Sequence, residues 1–118
     1  MTVALAVVLA GATVAVYQSP ANDPPPAGGA LVFQAKGCSA CHTVAGVAES
    51  GSLGPELTQV SEVAGERVPG MSAEAYLTQS IRDPQAYTVI GFQPGMMPEF
   101  ELSDAEVESI VAFLLTRR

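Results

Sequence analysis

Apolar positions are unevenly distributed along the chain, and their spacing divides it into three stretches. Residues 2–17 read TVALAVVLAGATVAVY, sixteen residues without a charge. As a helix this run covers about 24 Å of a hydrocarbon core about 30 Å thick. Residues 1–18 are therefore read as an N-terminal transmembrane helix, with a cleaved signal peptide as the competing reading. No basic residue precedes the apolar run, which favours a retained anchor. Leu9-Ala10-Gly11 matches the start of a lipoprotein cleavage site, but Ala12 stands where the lipidated cysteine is required, so lipidation there is excluded. Gly11 in so short a span suits packing against other membrane helices.

The second stretch, residues 19–28, holds three consecutive prolines and ends in glycine. That composition predicts an extended, polyproline-type tether with a reach of roughly 20–30 Å. From residue 29 onward no segment alternates apolar and polar positions as a half-buried strand does, and the remaining pattern is helical. A short helix is expected over residues 30–37, carrying Leu31 and Phe33, and a loop over residues 43–55. Ser72 can cap a helix reading AEAYLTQSIRD, with Tyr76, Leu77 and Ile81 on related faces and Pro84 just beyond its end. Ser103 and Glu106 form a capping-box pattern, after which Val107, Ile110, Val111 and Leu114 recur at helical spacing. The fold class is all-α, with one small domain over residues 29–118.

Composition makes that domain core-poor. The chain has 118 residues and is 48% hydrophobic, but much of the apolar content lies in the N-terminal run. A domain of about 90 residues buries only about two-thirds of its unfolded surface and commonly needs a disulfide, metal or cofactor as a staple. A net charge of −7, with no basic run longer than Arg117-Arg118, excludes nucleic acid as a natural partner.

The staple must come from very few residues. Both cysteines, Cys38 and Cys41, and the single histidine, His42, fall within Cys38-Ser39-Ala40-Cys41-His42. The C-x-x-C-H pattern reads as covalent haem attachment: two thiols three residues apart reach one edge of a porphyrin, and the next residue brings an imidazole beneath the iron. A thioredoxin-like pair lacks its strand–helix context, and a zinc site lacks a fourth ligand. An ordinary disulfide is the third rival, and it fits less well than haem attachment.

From residue 29 to the C-terminus the sequence resembles the class I c-type cytochromes. GALVFQAKGCSACHTV is similar to the family's first helix, and the resemblance implies that Gly29 and Phe33 pack against the final helix, with Phe113 as aromatic partner. GPEL, residues 54–57, resembles the loop whose proline carbonyl accepts a hydrogen bond from the haem-ligating imidazole, a role that falls to Pro55. The segment GFQPGMMPEF offers Met96 and Met97 as sixth ligand, and the family's methionine-before-proline order picks Met97. Met71 lies outside that motif and is assigned to packing. Arg67 resembles an arginine that sits near a haem propionate.

The family's fold is three to four helices around one haem, here haem c with iron held by His42 and Met97. With both axial positions filled, the resemblance implies a one-electron carrier without a small-molecule substrate, rather than an enzyme. A haem sensor or peroxidase-like domain with a displaceable sixth ligand is the alternative, and a thiol-disulfide oxidoreductase a third. YLTQSIRDPQAY resembles a helix of cytochrome domains bound to respiratory oxidases and quinol-oxidising complexes. The partners implied are the membrane and redox proteins, as other subunits of such an assembly or of a photosynthetic one. Haem attachment outside the cytoplasm places the domain on the periplasmic side of a bacterial cytoplasmic membrane.

Overall fold

The computed structural model describes residues 28–48 and 51–118. The expected anchor and nearly all of the tether lie outside the described residues. Among the described residues no helix is long and apolar enough to cross a membrane.

Four α-helices make up the described domain: α1 (Gly29–Ala35), α2 (Val60–Val63), α3 (Ala73–Arg82) and α4 (Asp104–Leu115), with single 3-10 turns at Cys38–Ala40 and Ala64–Glu66. No strand occurs among the described residues. Helix α1 stops two residues earlier than its pattern suggests. Lys36 caps it through its N–H, and Gly37 takes φ 83°, a left-handed conformation that turns the chain into the cysteine segment. Of its two large apolar residues only Phe33 enters the core, whereas Leu31 is 73% exposed.

Helix α4 starts as its capping box requires: Glu106 N–H donates to Ser103 Oγ (3.1 Å) and Ser103 N–H to Glu106 Oε1 (3.0 Å). It buries Val107, Ile110, Val111 and Leu114 as its periodicity predicts, together with Ser109, which that periodicity does not mark. The small residue belongs to the crossing with α1. A β-carbon on Gly29 would lie 2.1 Å from Ser109 O and 2.6 Å from Phe113 Cβ, so the two backbones meet where α1 begins. Phe33 and Phe113 close the contact with ring centroids 6.0 Å apart, and Lys36 pairs with Glu106 at 2.8 Å along its edge.

Helix α3 is capped by Ser72 Oγ, which accepts from Ala75 N–H (3.1 Å), and buries Tyr76, Leu77 and Ile81. It ends at Asp83 ahead of a buried Pro84. Arg82 ties it to the start of α4, donating to Leu102 O (2.9 Å) and pairing with Asp104. Helix α2 has no counterpart in the sequence reading, because four residues are too few to show a period. It brings Val60 into the core and the 3-10 turn after it brings Ala64, where Met71 also packs in part, as expected. The chain end closes over it: Arg117 O accepts from Ser61 N–H (3.1 Å) and Oγ (2.6 Å), while the Arg117 guanidinium lies 4.8 Å from the Phe113 ring centroid.

Candidate haem site

The cysteine segment is a tight turn. In a 3-10 geometry, residues three apart lie over one another, so Cys38 and Cys41 face the same side. His42 follows with its N–H on Cys38 O at 3.0 Å. Both thiols are unpaired and half-buried. Burial pushes the Cys38 thiol up from its ordinary value; a backbone hydrogen bond opposes this and the neighbouring Cys41 adds to it.

The loop that follows is laced back onto this turn. Gly51 N–H donates to Ser39 O (3.1 Å), Gly54 N–H to Cys41 O (2.8 Å), Leu57 N–H to Thr43 O (2.7 Å), and Thr43 Oγ1 to Gly51 O (2.9 Å). Two glycines permit the approach. A β-carbon on Gly51 would fall 2.0 Å from Ala40 O, and one on Gly54 would fall 2.5 Å from His42 Cε1. The imidazole thus rests against bare backbone.

His42 Nδ1 lies 2.7 Å from Pro55 O, and the bond requires the ring proton on Nδ1, leaving Nε2 as the nitrogen with a free lone pair. Burial holds the His42 pKa below its ordinary value, with the Pro55 bond pulling the other way. A neutral, oriented imidazole is the form that binds a metal.

All six residues singled out from sequence, Cys38, Cys41, His42, Pro55, Arg67 and Met97, line one cleft of about 300 Å³. Met96 lines it too, whereas Met71 does not. The helices contribute apolar side chains: Phe33 from α1, Val60 from α2, Leu77 and Ile81 from α3, Ile110 and Leu114 from α4. The loop between α3 and α4 adds Val89, Phe92, Pro98 and Phe100. Among the described residues no carboxylate lines the cleft, and Arg67 is its one cation. Arg67 Nη1 reaches Tyr76 Oη at 3.4 Å, and the Tyr76 and Tyr87 rings meet edge-on with centroids 5.8 Å apart. Met97 is half-buried and Met96 is 44% exposed.

This donor set fits a haem: thiols on one face of a turn, a lone-pair nitrogen presented by a fixed ring, apolar walls for a flat macrocycle, and a guanidinium suited to a carboxylate. The cytochrome c family model matches residues 26–118.

The chain belongs to the cytochrome c family.

As a cytochrome c it carries one covalently bound haem c, with its iron, at the Cys38–His42 motif, and it is a haem-based electron carrier. Solved structures agree with the fold. A deletion mutant of cytochrome c552 from Nitrosomonas europaea is 26% identical, with TM-score 0.55 over 75% of this chain and 99% of its own. The c-type cytochrome SorU from Sinorhizobium meliloti is 22% identical, with TM-score 0.51 over 75% of this chain and 85% of its own. Cytochrome c2 from Rhodobacter sphaeroides is 20% identical, with TM-score 0.52 over 78% and 94%. No curated protein matches the chain.

Sequence reasoning missed the steric role of Gly51, the contribution of α2 and the place of Gln85 at the cleft. Of these only Gly51 leaves a trace in the sequence, as a glycine between the haem motif and Gly54-Pro55.

Proposed function

We propose that this cytochrome shuttles single electrons, that His42 and Met97 would hold its haem iron, and that it is a membrane-anchored part of a larger electron-transfer assembly. The observation carrying the proposal is the pairing within one cleft of an imidazole fixed by Pro55 O (2.7 Å) and a half-buried methionine. Haem c supplies the reversible one-electron couple. His42, held neutral and oriented, would supply one donor to the iron and the uncharged thioether of Met97 the other, a pair that would favour the reduced state. Arg67, beside the Tyr76 hydroxyl, would take a propionate, and the apolar walls would limit the access of water to the bound group.

Residues 1–18 serve as the anchor and residues 19–28 as the tether, holding the haem domain on the extracytoplasmic face within reach of a donor and an acceptor. The uncharged run supports the anchor, and haem attachment outside the cytoplasm supports the side. A quinol-oxidising complex, a terminal oxidase or a photosynthetic complex each fit that placement. Carbonate washing of membranes from cells making the full chain is expected to leave the haem in the pellet.

The ligand reading is tested by two variants of the holoprotein. Met97→Ala is expected to abolish the far-red methionine–iron band of the ferric state and to open the ferrous iron to carbon monoxide, with Met96→Ala close to wild type. The opposite pattern transfers the role to Met96. A wild-type protein that already lacks the band and binds carbon monoxide readily at neutral pH is a sensor or peroxidase-like domain instead.

A further inference from the structure

The loop over residues 88–101 carries both methionines, and two of its glycines, Gly91 (φ 94°) and Gly95 (φ 81°), take left-handed conformations. Its apolar side chains line the cleft, but its polar attachment is sparse. Among the described residues, the loop makes one hydrogen bond to anything outside itself, from Gln85 Nε2 to the carbonyl oxygen of Met97 at 2.8 Å. A single bond on a loop of this length falls on the residue read as the sixth ligand.

The donor sits on a firm base. Asp83 N–H donates to Gln79 O (2.7 Å), Ala86 N–H closes a turn on Asp83 O (3.0 Å), and Pro84 between them is buried. Gln85 is thus held by the end of α3, although its side chain is exposed. Fixing the Met97 carbonyl fixes the register of the Met96–Met97 pair. It accounts for the half-buried Met97 beside a Met96 that is 44% exposed.

We propose that Gln85 is a positioning residue for the sixth ligand: its amide pins the Met97 carbonyl to the end of α3, keeping the thioether on the iron and the site closed to outside ligands. The inference rests on the Met97 ligation proposed above. It makes ligand retention a property of a contact between α3 and the loop, separate from the thioether itself.

Carbon monoxide binding to the ferrous holoprotein measures it, because the gas must wait for the methionine to leave. Gln85→Ala and Gln85→Glu remove the donor, and Gln85→Lys restores an N–H donor of similar reach. Glu99→Gln is the control: Glu99 shares the loop, is exposed, does not line the cleft and makes no hydrogen bond or ion pair among the described residues.

The expected result is binding faster on the order of three- to tenfold in the Ala and Glu variants, the equivalent of one net hydrogen bond, and a weaker far-red band. Gln85→Lys and Glu99→Gln should stay near wild type, with the helical circular dichroism of all four unchanged. If Met97→Ala abolishes the band while Gln85→Ala leaves carbon monoxide binding at the wild-type rate, the positioning role is overturned and the ligand reading stands. If the band is lost in Met96→Ala and not in Met97→Ala, both are overturned.

Discussion

At Gly54 the space for a side chain is already taken by the His42 ring, whose Cε1, Nδ1 and Nε2 all lie within 2.9 Å of where a β-carbon would be. Gly54→Ala must push the imidazole or the loop away and lengthen the bond to Pro55 O. An overpacking cost of about 1–3 kcal/mol is expected, read as a lower denaturant midpoint of the holoprotein together with a weakened far-red band. Gly51→Ala meets a carbonyl that cannot rotate aside, and should cost at least as much. The chemistry here was legible because C-x-x-C-H and Gly-Pro-x-Leu name their atoms; the reason for Gly51 was not, because it lies in a backbone approach that no motif encodes. Burial gives His42 a pH signature. Its pKa lies below the ordinary 6.5 in the folded state, so the unfolded chain binds more protons. In the haem-free chain that contribution to stability is therefore fully present above 6.5 and falls as pH drops through it. In the holoprotein iron on Nε2 would take the proton's place, so denaturant midpoints should show no His42-linked decline from pH 7.5 to pH 5, and such a decline would mean that His42 is off the iron.

Among the elements, α1 and α4 form the clasp that holds the cysteine turn against the rest of the domain. Gly29→Ala would set a β-carbon 2.1 Å from a backbone oxygen of α4, so the helices must separate and the Phe33–Phe113 contact must open. The loss should exceed that of Ser103→Ala, which removes one cap and costs about 1 kcal/mol. Thermal melts of the two holoproteins compare them directly. The sequence announced α3 and α4 because capping serines and 3.6-residue spacing are local signals. It announced the Gly29–Phe33–Phe113 contact only through family resemblance, since a crossing of helices so distant in sequence leaves no local pattern. Helix α2 and the 3-10 turn after it went unseen for a related reason: Val60 and Ala64 are buried by tertiary packing, and four helical residues carry no periodicity.

For the whole molecule, a small all-α shell closes around a cofactor that the fold alone cannot replace, since so short a domain buries too little apolar surface to be comfortable without a staple. The six candidate residues lie as far apart in sequence as Cys38 and Met97, and the cleft collects them all. What the sequence left open was how Met97 is held, because Gln85 and Met97 are joined by a side-chain bond across twelve residues with no motif around it. The central claim, a one-electron carrier with His42 and Met97 on the iron, is met most directly by an optical redox titration of the full-length holoprotein. The expected record is one reversible one-electron transition, with a far-red band in the ferric form that vanishes on reduction and is absent throughout in Met97→Ala. A wild-type ferric protein without that band, binding carbon monoxide readily at neutral pH once reduced, would contradict it.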